Sequence, residues 1–391
     1  MEWEIFSEKI VGFSAEIEGG KLKFLRKLKD HAFAVRVIEN NKVGFSSGKN
    51  LEKTIEEAKK IARISEEELK EFPVEKPARV EKIYDRRFEN PLQEFIKDEY
   101  EILINSVEKA KIANALISHE VVEIELKNSF GAELREKGSF SFFSIETVYE
   151  EGSGFAQTGR RELELEIEST ARYAEELAIK ASKAEKLNYG YYDIVLMPHA
   201  VHQLFSNTLY PSFSAENVAR GRSSIHKGMY LGELKILDDP TLPGGFVSFS
   251  FDDEGVMARK KVLLDREVLG FYSDWKNSKK FGVSGNGLRI DIDSPPMPLP
   301  SNIIVEIDEE VEVESALIVH NFIGSHTTNP ISGDFSVECL NAEIDGRAFK
   351  GVMIYGNIFD FLKKIRGFCL EKVQIENTIS PAIRFEKIKV I

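Results

Sequence analysis

Cysteine is scarce in this chain: 391 residues hold two, Cys339 and Cys369. A large chain with so few thiols reads as reduced and cytoplasmic, held by its core and not by disulfides. Long apolar runs are missing too. None approaches the ~18 consecutive residues of a membrane-crossing helix, so no membrane partner is expected. The first residues, MEWEIFSEKIVGF, are acidic and lack the basic segment of a signal peptide. Cations are outnumbered, with 52 Lys and Arg against 65 Asp and Glu and a net charge of −13. That balance argues against direct nucleic-acid binding, which needs a basic surface to neutralise phosphates. There is no Walker loop, no dinucleotide fingerprint, no internal repeat and no low-complexity segment. Gly282-Val283-Ser284-Gly285 lacks the glycine spacing of a nucleophile elbow.

What is present suits a globular protein of two domains: 42% hydrophobic and 30% charged residues. The most unusual stretch is Leu237–Glu254, LDDPTLPGGFVSFSFDDE. Two Pro and two Gly within six residues fix an uncommon backbone path. Phe249 and Phe251 then alternate with serines, the pattern of a strand with one buried face, and carboxylates flank the run. A calcium loop placed on Gly255 fails, because its twelfth position would be Lys261. Asp252, Asp253 and Glu254 therefore read as solvated turn carboxylates.

Taken in order, residues 2–12 suggest a short helix. Residues 21–46 suggest a strand pair turning at Asn40-Asn41. Asn50 suits the N-cap of a helix to Ile64, with Leu51, Ile55, Ala58 and Ile61 on its inner face. A second helix is expected over 91–116. Strands follow at 121–127, 132–137 and 140–149, then a helix over 169–187. Asn188-Tyr189-Gly190 marks a boundary. Beyond it come a strand at 192–197, a helix at 199–209, and many short strands with Gly and Asp turns, among them 260–264, 268–272, 303–307, 316–319 and a hairpin at Asp345-Gly346. The expected class is α+β. Residues 1–190 form an antiparallel sheet with long helices; residues 191–391 form a mostly-β, barrel-like or sandwich domain.

Three histidine groupings invite a metal test. His199 and His202 sit three apart at the start of a helix, where two imidazoles can face one ion. No carboxylate follows within that helix, so two structural histidines are the simpler reading. His119-Glu120-Val121-Val122-Glu123 imitates half a zinc motif but alternates as a strand, so residues four apart do not share a helical face. His320, His326 and Cys339 match no compact ligand spacing, and packing explains Cys339. The polar turn His326–Asp334 is the best candidate for binding: a loop beside strands that holds an extended peptide by strand addition through His326, Thr327, Asn329, Ser332, Gly333 and Asp334. A plain structural turn is the alternative.

Four motifs stand in a fixed order: SFSAENVARGRSS (Ser212–Ser224), the 237–254 stretch, Gly285-Asn286-Gly287 and HTTNPISGDFSVE (His326–Glu338). Together they resemble the TldD/PmbA family, the "modulator of gyrase" metallopeptidases, over roughly residues 190–340; the first 190 residues match in character only. In the TldD branch the helix after the first strand carries His-Glu followed three residues later by His. Here the matching residues are His199-Ala200-Val201-His202-Gln203, which places the chain nearer the PmbA/TldE branch. The resemblance implies a heteromeric assembly. A TldD-like subunit carries zinc and cleaves peptide or unfolded protein substrates, while this chain binds no cofactor, contributes no catalytic residue and helps enclose the chamber. A homodimer in isolation stays open, and any link to gyrase is indirect. Two other classes remain: an autonomous metal-dependent hydrolase using His199, His202 or His326, and a non-enzymatic interaction protein regulating gyrase or a toxin–antitoxin system.

Overall fold

The computed structural model describes residues 1–90, 92–324 and 328–391. The amino-terminal half is one antiparallel sheet of six strands in the order β3-β2-β1-β4-β5-β6. These are β1 (Glu2–Glu18), β2 (Lys21–Glu39), β3 (Lys42–Gly48), β4 (Lys111–Asn128), β5 (Glu133–Tyr149) and β6 (Gly152–Arg160). Helices α1 (Leu51–Ile64), α2 (Leu92–Ser106) and α3 (Ile167–Ser182) lie against it. The expected α+β class is what the chain adopts. The Asn40-Asn41 turn has both residues at positive φ, 53° and 63°, which matches the right-handed twist of the strands it joins. Asn50 caps α1, its side chain accepting from the Lys53 N–H at 3.0 Å.

Several local expectations gave way to tertiary context. Residues 2–12 are strand, not helix. Ile5 packs on the α1 side of the sheet and its neighbour Phe6 on the other. With both faces covered, adjacent apolar residues lose the period-two signature. The second helix ends at Ser106, and residues 111–116 begin β4. The turn between them is tied by the Glu175 carboxylate of α3, which accepts from the N–H groups of Lys109 (2.5 Å) and Ala110 (2.7 Å). The third helix stops at Ser182, and Ile61 of α1 is exposed. The expected strand at 246–251 does not form. Its N–H groups go to side chains and turn carbonyls instead: Val247 to Asn302 Oδ1 at 2.9 Å, Ser250 to Glu136 Oε2 at 2.7 Å, Ser248 to the Gly245 carbonyl and Phe249 to the Pro240 carbonyl.

The carboxyl-terminal half holds β7 (Glu185–Lys186), β8 (Gly190–Leu196), β9 (Tyr230–Asp238), β10 (Lys261–Val268), a β11–β12 pair (Gly287–Leu288, Met297–Pro298), β13 (Ile303–Glu306), β14 (Leu317–Ile323), β15 (Asp334–Ile344), β16 (Arg347–Lys350), β17 (Val352–Asn357), β18 (Ile365–Ile375) and β19 (Thr378–Val390). Residues 265–267, between the strands expected at 260–264 and 268–272, form a bulge inside β10, with Arg266 at φ 59°. Strands β19, β8, β14, β15 and β17 pair in a closed ring, since β17 bonds both β15 and β19. Closure removes the unpaired strand edges of an open sheet. Its core is a single cluster that includes Leu196, Val201, Phe205, Val319, Val337 and Phe385. Helix α4 (Pro198–Thr208) follows β8 directly and packs on this ring.

Candidate functional site

Helix α4 begins where β8 stops. Pro198 occupies its first turn, where the missing N–H costs nothing. Ala200, Val201, Leu204 and Phe205 are buried on its core face. His199 and His202 are thereby turned to other neighbours, at the seam between the two sheets. His199 Nε2 lies 3.1 Å from the Gln157 carbonyl oxygen of β6, to which it donates. Burial pushes the His199 imidazole down to about 4, so it is neutral. His202 Nδ1 accepts from the Thr378 hydroxyl at 2.9 Å, and its Nε2 is 3.5 Å from the Glu376 carboxylate. That hydrogen bond to His202 holds Glu376 below the usual carboxylate range.

A second polar chain leads away from this helix. The Tyr173 ring of α3 stands between His199 and His320, with centroids 6.2 and 5.9 Å apart. The Tyr173 hydroxyl donates to His320 Nδ1 at 2.7 Å, and His320 Nε2 is 3.3 Å from Glu343 Oε1 on β15. The hydrogen bond from His320, aided by Lys180, holds Glu343 down to about 2.

Zinc takes three or four N, S or O ligands at about 2.0–2.3 Å. These groups do not fit. His199 points its Nε2 at backbone, both His202 nitrogens face protein partners, and α4 offers no carboxylate. Among the described residues, no group of three or more His, Cys, Asp and Glu stands where it could hold a metal ion. His119 is a core residue of β4, its Nε2 2.6 Å from Glu99 Oε2 and its Nδ1 2.8 Å from Ser141 Oγ. Cys339 is buried, and burial pushes its thiol up. His326 and Thr327 lie outside the described residues.

The rest of the candidate loop closes on itself. Asn329 Oδ1 accepts from the N–H groups of Ile331 and Ser332, at 2.9 and 3.2 Å. The Ser332 hydroxyl donates to Asp334 Oδ2 at 2.7 Å, and Asn357 Nδ2 donates to the Ser332 carbonyl and to Asp334 Oδ1. Gly333 has φ 79°, and a Cβ there would meet the Phe359 ring at 2.7 Å. Ser224 Oγ ties the loop to the preceding motif by donating to the Ile331 carbonyl at 2.9 Å.

Asp252 and Glu254 are not solvated but fully buried, and Asp253 between them is half-buried. They join a network that sequence reasoning missed. Glu4 of β1 and Arg36 of β2 face each other in register. Arg36 Nε and Nη2 donate to the two Glu4 oxygens at 2.8 and 2.9 Å, and Nη1 donates to Glu254 Oε1 at 2.6 Å. Glu254 Oε2 accepts from the Trp275 N–H at 2.6 Å, and Asp252 Oδ2 from the Gly287 N–H at 2.8 Å. Asn286 Nδ2 donates to Asp238 Oδ2 at 2.7 Å, beside Lys261 at 2.8 Å. Burial, then the charge of Glu254, raises Asp252 well above the usual range. Burial likewise raises Asp253 to about 6, against the pull of Arg289. Arg289 lies over the Phe6 and Phe45 rings, 5.0 and 5.4 Å from their centroids. The motifs at 237–254 and 285–287 thus meet in the interior and bind the two halves together. The signal in the sequence was Arg36, a charge inside the apolar run Ala34–Ile38.

Comparison with known proteins gives a consistent result. Residues 189–391 match the PmbA/TldA metallopeptidase C-terminal domain, and residues 3–62 match PmbA/TldA metallopeptidase domain 1. An uncharacterized protein of Methanocaldococcus jannaschii is 29% identical over 98% of this chain and 95% of its own length. A metalloprotease of Methanothermobacter thermautotrophicus is 26% identical over 90% of this chain and 84% of its own. Among solved structures, TldE from Thermococcus kodakarensis superposes with a TM-score of 0.87 at 22% identity, over 100% of this chain and 96% of that one. A Thermotoga maritima structure described as a modulator of a DNA gyrase gives 0.88 at 23% identity, with the same coverage. At these identities the two structures establish the shared fold.

Proposed function

The chain belongs to the PmbA/TldA metallopeptidase family, also written TldD/PmbA, and from that premise we propose that it is the TldE-like subunit of a two-component metallopeptidase. In this reading a TldD-like partner holds the zinc and cleaves peptide or unfolded protein substrates. The present chain completes the chamber and supplies no metal ligand. The observation that carries the reading is the state of α4. The position where a zinc peptidase needs two imidazoles and a base holds His199, Ala200 and His202, and each imidazole already has a protein partner. The family's fold without a ligand set is what a supporting subunit needs. The structural likeness to a protein named TldE agrees with it.

The test is reconstitution. The purified chain, a TldD-like chain and their mixture are compared for co-elution and for hydrolysis of a denatured protein. Activity that requires the mixture and is abolished by a chelator is the expected outcome. Hydrolysis by this chain alone, lost in His202→Ala, would instead establish an autonomous hydrolase.

A further inference from the structure

The two edges of the six-stranded sheet are treated unequally. At one edge β6 is closed against the carboxyl-terminal half: its carbonyls at Ser153, Phe155 and Gln157 accept from Asn341 Nδ2, Asn321 Nδ2 and His199 Nε2. At the other edge β3 covers only part of β2. Their pairing runs from Glu39↔Lys42 to Phe33↔Gly48 and stops, while β2 continues along β1 to Lys21. Among the described residues, no strand pairs with the outer edge of β2 between Lys21 and Ala32.

The register tells which groups that edge offers. The two-residue turn at Asn40-Asn41 makes Glu39 and Lys42 a hydrogen-bonded pair, and alternate residues of an antiparallel strand point both backbone groups the same way. Odd-numbered residues of β2 therefore bond outward to β3, and even-numbered ones inward to β1, whose register is unbroken from Glu2 to Glu16. Past the end of β3, the N–H and C=O groups of Leu25, Lys27 and Lys29 face outward with no backbone partner among the described residues. The hairpin that carries them is fixed at its tip: the Gly19 N–H donates to the Ala113 carbonyl at 2.9 Å, and the Tyr100 hydroxyl to the Gly20 carbonyl at 3.1 Å.

Side chains limit what can pair there. In a chain of net charge −13, the run 21–29 holds Lys21, Lys23, Arg26, Lys27 and Lys29 and no carboxylate. All of these cations are exposed. Lys23 and Arg26 reach Glu18 and Glu16 of β1, at 3.0 and 3.1 Å. Lys27 and Lys29 form no ion pair among the described residues, and Lys27 rests over the Phe13 ring. Edge lysines repel a like-charged strand. Two copies of this edge laid antiparallel would set cation against cation, which argues against a second copy. A nucleic acid or a lipid surface would meet the charge but brings no ladder of N–H and C=O groups.

We propose that the outer edge of β2, from Leu25 to Lys29, accepts an antiparallel strand of a partner protein by strand addition, with Glu or Asp opposite Lys29 and Lys27 and an apolar residue opposite Leu25. Backbone bonds hold the strand and the two free ammonium groups select it. Strands β1, β4 and β5 separate this edge from β6 and α4, and the proposal stands whether or not the chain works beside a TldD-like subunit.

The test is fluorescence anisotropy of a tagged pentapeptide, acetyl-Glu-Val-Glu-Thr-Val-amide, titrated with the full chain. Saturable binding that weakens with salt is expected, and none for the same peptide with Lys in place of both Glu. Methylating the backbone nitrogen of the third residue, which faces the ladder, should abolish binding; methylating that of the second, which faces away, should keep it. The double variant Lys27→Glu, Lys29→Glu should bind the acidic peptide about tenfold more weakly and take up the lysine peptide, with its melting curve kept. Binding indifferent to the third N-methyl group, with single-stranded DNA or phosphatidylserine vesicles displacing the peptide, would mean a surface that reads charge alone and overturns the proposal. No binding at millimolar peptide, or self-association of the chain that the double variant abolishes, overturns it as well.

Discussion

Replacing Arg36 with methionine would remove the one cation that directly hydrogen-bonds both Glu4 and Glu254. Its guanidinium makes three buried hydrogen bonds of 2.6–2.9 Å, two to Glu4 and one to Glu254. Burial works to lower the Arg36 pKa, but the two carboxylates outweigh it and hold the group charged. Methionine matches much of the side-chain length yet leaves two buried carboxylates without their hydrogen-bonding cation, with only Arg289, 4.0 Å from Glu4, beside them. Breaking a buried ion pair from one side costs about 3–5 kcal/mol, a large part of the ~5–15 kcal/mol that holds a typical domain folded. Of the chain's two tryptophans, Trp275 adjoins this network, its backbone N–H donating to Glu254, while Trp3 lies on the other face of β1 against α1 and reports on the same sheet. Guanidinium unfolding followed by tryptophan fluorescence therefore reads the right region. The triple variant Glu4→Gln, Arg36→Met, Glu254→Gln should recover part of the loss, since the two carboxylates that lose Arg36 are neutral in it, while buried Arg289 keeps Asp253 as its counter-charge. A single variant within about 1 kcal/mol of wild type, the size of an exposed pair's contribution, would refute the reasoning.

Asp253→Asn should change stability in a pH-dependent way. The folded carboxyl titrates at about 6 against an ordinary 3.8, so between those values the folded chain binds more protons than the unfolded one. Its contribution is full below about pH 4 and lost as pH rises through about 6. The variant's melting temperature should match wild type in acid and exceed it above pH 6; a constant difference would contradict this. His199→Ala should destabilise by about 1 kcal/mol, because the part-buried Gln157 carbonyl loses that donor, and should leave metal content unchanged on elemental analysis. In Gly154→Ala, the new Cβ would run into the Ala174 carbonyl and Ala178 nitrogen of α3. Chemical denaturation should show a loss of about 1–3 kcal/mol, and a neutral result would mean that α3 does not press on β6.

Much of the architecture was legible because local signals and the fold agree. Asn50 caps α1, Asn40-Asn41 turns β2 into β3, and Asp345-Gly346 turns β15 into β16. Legibility failed where distant residues decide. The alternation at 246–251 is real, but Asn302 and Glu136 take the Val247 and Ser250 N–H groups and the carbonyls of Pro240 and Gly245 take those of Phe249 and Ser248, so no ladder forms. The run at 107–116 looks helical until Glu175 ties the turn at Lys109. For the site, the sequence showed that α4 lacks a carboxylate. It could not show that His199 faces the Gln157 backbone, or that Asp252 and Glu254 are buried against β1 and β2, because those contacts join residues far apart in the chain.

Metal stoichiometry tests the central claim most directly: the purified chain is dialysed against zinc, washed free of loose ion and assayed by elemental analysis, alone and in complex with a TldD-like chain. The account predicts no stoichiometric zinc in the chain alone and zinc in the complex that leaves with the partner when the two are separated. One zinc retained per isolated chain and lost in His199→Ala or His202→Ala would contradict it.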